Sequence, residues 1–173
     1  MDDTIPFGSR DYWYFLAAIV FARGMDFLST WIATPRLKLE ANPIAKFLGW
    51  KWGIALNVLL APLLACWPLA AVIVGTTSVL VAARNFQSAW LMRAMGEDEY
   101  RRWMCDRMHE GSLRLFVTCL LAQTFLVAMV GAVLIWFTAQ LVPFGIGVGI
   151  VGYALAVGFY TLLSVWRLRG ASR

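Results

Sequence analysis

The chain is short of charge. Asp, Glu, Lys and Arg make up 14% of its 173 residues, against roughly 25% in soluble domains, which excludes an ordinary water-soluble domain. Histidine is nearly absent: His109 stands alone, so no pair of histidines exists to hold haem or zinc. Cysteine is sparse, and Cys66, Cys105 and Cys119 have neither CxxC nor zinc-finger spacing. Their odd number and scatter exclude a disulfide framework and predict three free thiols. A Walker loop and an HExxH motif are missing too. The first residues, Met1-Asp2-Asp3, are acidic where a secretory signal is basic, so the first apolar span is expected to stay attached. There is no internal repeat and no low-complexity tract.

Apolar residues are abundant, at 61%, and they fall in runs at 12–33, 52–81, 113–137 and 145–166. Each exceeds the roughly 18 residues that mark a membrane-spanning helix. As one helix the second run would be about 45 Å long, against a hydrocarbon core of about 30 Å. Pro62 and Pro68 offer a break, and two helices turning at Cys66-Trp67 are expected. The fold expected is therefore an all-α integral membrane protein with five spans at about 12–33, 46–65, 68–90, 113–138 and 145–166. The chain is too short for a separate soluble domain beside them.

The net charge of +5 forms no continuous basic patch, so it points to topology and not to nucleic acid. With five spans, Arg36, Lys38, Lys46 and Lys51 share one side with Arg84, Arg93, Arg101, Arg102, Arg107, Arg114 and the tail residues Arg167, Arg169 and Arg173. Only Arg10 lies opposite, beside Asp2, Asp3 and Asp11. Basic residues accumulate in the cytoplasm, which puts the N-terminus outside and the C-terminus inside, in the plasma (inner) membrane of a prokaryote. The tryptophans agree: Trp13, Trp67 and Trp136 fall at the outer boundary, and Trp31, Trp50, Trp52, Trp90, Trp103 and Trp166 near the inner one.

Between the third and fourth spans, residues 98–110 place Tyr100, Trp103, Met104 and Met108 on one helical face and Arg101, Arg102, Asp106 and His109 on others. An amphipathic helix along the cytoplasmic surface is expected there, stopped by Gly96 and Gly111. Gly145, Gly149, Gly152 and Ala156 form a small-residue stripe on the last span, suited to close packing within the bundle or to a second copy.

Some polar residues sit where hydrocarbon is expected. Arg23, Asp26 and Ser29 or Thr30 are three and four apart and share one face of the first helix. Measured at 1.5 Å per residue, Asp26, Lys51, Arg84 and Asn85 lie about 21 to 26 Å from the outer boundary. Gln123, Thr124 and Thr161 arrive at a similar depth, with Asn57 nearer the midplane. An ionised group costs about 2.5–3.5 kcal/mol at a bilayer centre on insertion scales, so these side chains are expected to turn inward. A polar pocket open to the cytoplasm follows, with Arg23, Lys51 and Arg84 outweighing Asp26 and favouring an anion. The competing reading is purely structural: Asp26 pairs with Arg23 or Arg84, Lys51 snorkels, and Asn85 and Gln123 glue helices together. Asn42 and Pro43 form a helix start, N-cap and N1. Glu40 either favours the positive end of the second helix or faces the pocket with Asp26.

The pattern Asp26-x-x-x-Thr30 followed by Glu40-x-Asn42-Pro43 resembles a family of small bacterial and archaeal multi-pass membrane proteins of unknown function. The resemblance covers the first three spans, including Asn85, and implies only that Asp26, Thr30, Glu40, Asn42 and Asn85 belong together. Three functions remain open. One is binding or transport of a small ion, anionic solute or lipid headgroup. Another is a non-catalytic subunit or assembly factor of a larger membrane complex. The third is an intramembrane metal-dependent enzyme using Asp26 and Glu40. A Cys105/His109 dyad is conceivable in spacing alone. No cofactor is expected; the expected partners are membrane lipids and either a second copy or a larger complex.

Overall fold

A computed structural model describes residues 4–170, with the side chains of Met108, His109 and residues 167–170 outside that description. The pairing of Cys105 with His109, the place of Met108 on its helix and the tail cations Arg167, Arg169 and Arg173 therefore lie outside the described residues. The described chain is all-helical: α1 (Arg10–Ala33), α2 (Pro43–Leu64), α3 (Pro68–Met95), α4 (Glu97–Glu110), α5 (Leu113–Phe137) and α6 (Leu141–Gly170). All but α4 are long and apolar enough to cross a membrane.

Local chemistry sets the helix ends. The Ser9 hydroxyl accepts from the Tyr12 N–H at 3.2 Å and starts α1. The Asn42 side chain accepts from the Ile44 N–H at 3.0 Å with Pro43 at the first helical position, as the sequence pattern requires. Residues 65–67 turn the chain from α2 into α3, and the Ile5 N–H caps this turn by donating to the Cys66 carbonyl at 2.9 Å. Around it lies an apolar cluster of Tyr12, Ile19, Ala61, Ala65 and Ala71.

The helices form a row in which α1 packs along α3, α3 along α6 and α6 along α5, while α2 touches α1 and α3 only lightly. Where α5 meets α6, a Cβ on Gly147 would come within 2.7 Å of the Gly131 carbonyl oxygen. Gly145 and Gly149 lie against Val72 and Thr76 of α3, whereas Gly152 faces open space. Most of the glycine stripe is thus spent inside the bundle. Helix α2 is broken at Gly49 (φ 64°, ψ −173°), in a region that glycine enters without steric cost. Its straight part, residues 50–64, is about 22 Å long at 1.5 Å per residue.

Candidate functional site

Arg23 is the hub of a polar cluster joining three helices. One guanidinium nitrogen donates to Asp26 Oδ2 at 2.7 Å and to Ser78 Oγ of α3 at 3.1 Å. Its Nε donates to Asn57 Oδ1 of α2 at 2.6 Å. Asn57 is held in turn by donating Nδ2 to the Gly53 carbonyl at 2.8 Å, and the Phe27 ring lies 5.5 Å from the guanidinium carbon. Both partners of the ion pair are largely buried, with side-chain exposures of 28% and 17%. Buried charge demands hydrogen bonds, and Arg23 has found them on all three helices. Asp26 Oδ1, by contrast, enters none of the hydrogen bonds among the described residues.

One turn further along α1, Asn85 of α3 donates to Ser29 Oγ at 3.3 Å and Thr30 Oγ1 at 3.1 Å. The fully buried Ser29 hydroxyl donates back to the Asp26 carbonyl at 2.9 Å. Ser78 and Asn85 are seven residues apart and so share a face of α3. That spacing is the signal by which Ser78 could have been found in the sequence.

In the loop leading to α2, Glu40 accepts the Asn42 N–H at 2.8 Å. Burial pushes its carboxyl above the ordinary range, against the pull of the Asn42 and Ala41 N–H groups and the Lys46 charge. It lies close enough to Asp26 for the two carboxylates to repel.

The single layer expected from depth is divided. Lys51 is exposed on α2, its ammonium 6.0 Å from the Trp52 ring. Arg84 turns toward α6 and donates to Thr161 at 3.4 Å. Gln123 is exposed on α5, and the Thr124 hydroxyl bonds to carbonyls of its own helix. Depth along a helix fixes height but not direction. Arg84 precedes Asn85 by one residue, which turns it about 100° around α3 at 3.6 residues per turn, away from α1. The charge in the cluster is consequently that of Arg23, Asp26 and Glu40, one negative in sum when all are ionised, and not the positive layer expected.

Glu97 carries a role that residue spacing did not signal. Its carboxylate accepts from the Thr34 hydroxyl at 3.0 Å, the Arg36 N–H at 2.7 Å and the Lys38 N–H at 2.9 Å. These bonds fix the turn after α1, in which Leu37 has a positive φ of 54°, a conformation that costs a non-glycine residue about 1 kcal/mol or more. Lys38 grips both oxygens of Asp98 at 2.6 and 2.7 Å, and that bond holds the exposed Asp98 carboxyl below its usual range. The α1–α2 loop is thereby fastened to the start of α4. No family model, curated protein or solved structure matches this chain, and the resemblance suggested by the Asp26-to-Asn85 pattern gains no support from them.

Proposed function

We propose that this protein binds or carries a small cation, a proton included, at Asp26 between α1, α2 and α3, with Glu40 at the mouth of the site. The observation that carries the reading is the half-engaged Asp26 carboxylate: Oδ2 is taken by Arg23 while Oδ1 is uncommitted. The partly buried Glu40 nearby makes added positive charge favourable, which argues for a cation over the anionic solute or lipid headgroup at this position. In the proposed arrangement the chain sits in a prokaryotic inner membrane with the N-terminus outside. Helix α4 lies along the cytoplasmic surface, consistent with the skew of Lys and Arg between the two sets of loops. Its apolar side is represented by the buried Tyr100, whose ring contacts Trp103 at 5.6 Å.

The test is flux in liposomes bearing the full chain, with proton-, sodium- and potassium-sensitive dyes and an imposed gradient of each ion. Wild-type protein is expected to dissipate one gradient, and Asp26→Asn to abolish this in samples matched for folded protein, since loss of the Arg23 counter-charge also lowers the melting temperature. Absence of flux for protons, sodium and potassium alike, or flux untouched by Asp26→Asn, overturns the reading.

A role as subunit of a larger complex is favoured by one observation, the exposed backbone notch at Gly152. Extraction in mild detergent yielding only this chain or its homo-oligomer removes it. The metal-enzyme reading needs a third ligand, and among the described residues no group of three His, Cys, Asp or Glu is placed to hold a metal.

A further inference from the structure

We infer that an open groove at the shared end of α1 and α3 binds the phosphate of an anionic phospholipid. The groove encloses about 450 Å³ and lies beside the start of α4, separate from the Asp26 cluster. Ala33, Met92 and Met95 contribute apolar lining, and Arg36, Arg93 and Arg102 line it as well.

Three carboxylates, Glu97, Asp98 and Glu99, are also present, and their engagement decides the sign of the ligand. Glu97 is occupied by Thr34 and two backbone N–H groups, and Asp98 by Lys38. The lining alone is balanced, three arginines against three carboxylates, but Lys38 from outside the lining neutralises Asp98 and leaves three arginines against Glu97 and Glu99. One positive charge is left over, matching the single negative charge of a phosphodiester. Arginine suits that role because its planar fork of donors fits phosphate oxygens.

Two features select a lipid over a soluble phosphate. Trp31 is exposed beside the groove, with the Arg93 guanidinium 5.7 Å from its ring, and exposed Trp90 lies one turn before Arg93. Exposed tryptophans of this kind anchor at headgroup level, which sets the nearby arginines at the depth of lipid phosphates, with the apolar lining residues beside the glycerol and first acyl carbons.

The experiment is native mass spectrometry of the full chain taken from bilayers of equal parts phosphatidylglycerol and phosphatidylcholine, counting the lipids retained. Phosphatidylglycerol should be preferred, and Arg93→Gln with Arg102→Gln should reduce that preference by about twenty-five-fold, near five-fold for each basic residue at an anionic surface. Arg101→Gln with Arg114→Gln removes the same charge from exposed positions outside the groove and should leave the preference intact. Equal retention of both lipids by the wild type overturns the proposal without reference to any variant. So does an equal loss in both double variants, which indicates net charge alone. Displacement of the lipid by millimolar soluble glycerophosphoglycerol makes the groove a solute site and overturns its assignment to the membrane.

Discussion

Between α1 and α3 the contact is made by side chains that donate and accept, whereas between α5 and α6 it depends on side chains being absent. Asn85 reaches two hydroxyls of α1, and Arg23 bonds to Ser78; across the bundle, Gly131 and Gly147 let two backbones approach until a single added carbon would collide. In lipid both devices hold helices together, because burial of apolar surface gives no advantage when the solvent is itself apolar. They differ in what they permit. The glycine seam is filled by its own backbone, while the polar seam contains a carboxylate oxygen with unused capacity. Spare hydrogen-bonding capacity is on the polar side of this molecule, and close backbone packing on the glycine side.

The sharpest way to break that contrast is Arg23→Ala, which strands Asp26 among three helices. Removing one partner of a buried pair costs about 3–5 kcal/mol, and the partial exposure of both groups sets the expectation at about 3 kcal/mol. Thermal unfolding in detergent should show it, and adding Asp26→Asn should recover much of the loss. A smaller effect is expected from Gly147→Val in the glycine seam, about 2 kcal/mol from overpacking, with no recovery from any change of charge. If Gly147→Val were neutral, the close backbone approach would not be what joins α5 to α6.

Asn85→Ala should cost about 0.6–1.7 kcal/mol, the range for interhelical hydrogen bonds in membranes. An unchanged melting temperature would deny the polar seam its structural part. The smallest effect concerns pH. Because burial raises the Glu40 pKa, the folded protein holds that proton more tightly than the unfolded chain. Stability should therefore fall as pH rises from the ordinary carboxylate value through the folded one. Glu40→Gln should flatten this slope and stabilise the protein at neutral pH, as read from melting curves across pH 4 to 8. Asp98 works in the opposite sense: its lowered pKa means that the Lys38 bond stabilises above the ordinary value and is lost on acidification.

The helices were legible because length and hydropathy are one-dimensional properties. Residues 65–67 carry the turn that Pro62 and Pro68 signalled, and Asn42-Pro43 starts α2 as its residue types demand. Arg23, Asp26 and Thr30 could be grouped because their spacing defines a face within one helix. Lys51, Arg84 and Gln123 were grouped with them by depth, and that failed because a common height does not make side chains from different helices point to a common axis. Ser78 was hidden by being small and ordinary, although its seven-residue spacing from Asn85 encodes a shared face. Glu97 could not be seen at all, since its partners, the Thr34 hydroxyl and two backbone N–H groups, lie some sixty positions earlier.

Gly49 also bears on the lipid around the protein. The straight part of α2 is about 22 Å long, against a usual hydrocarbon slab about 30 Å thick, so this part alone falls short of such a slab unless the bilayer thins, flanking residues snorkel or the segment before Gly49 completes the span. This short segment carries the Asn57 that accepts from Arg23. The ion pair is thus walled on that side by the shortest straight segment among the five long apolar helices.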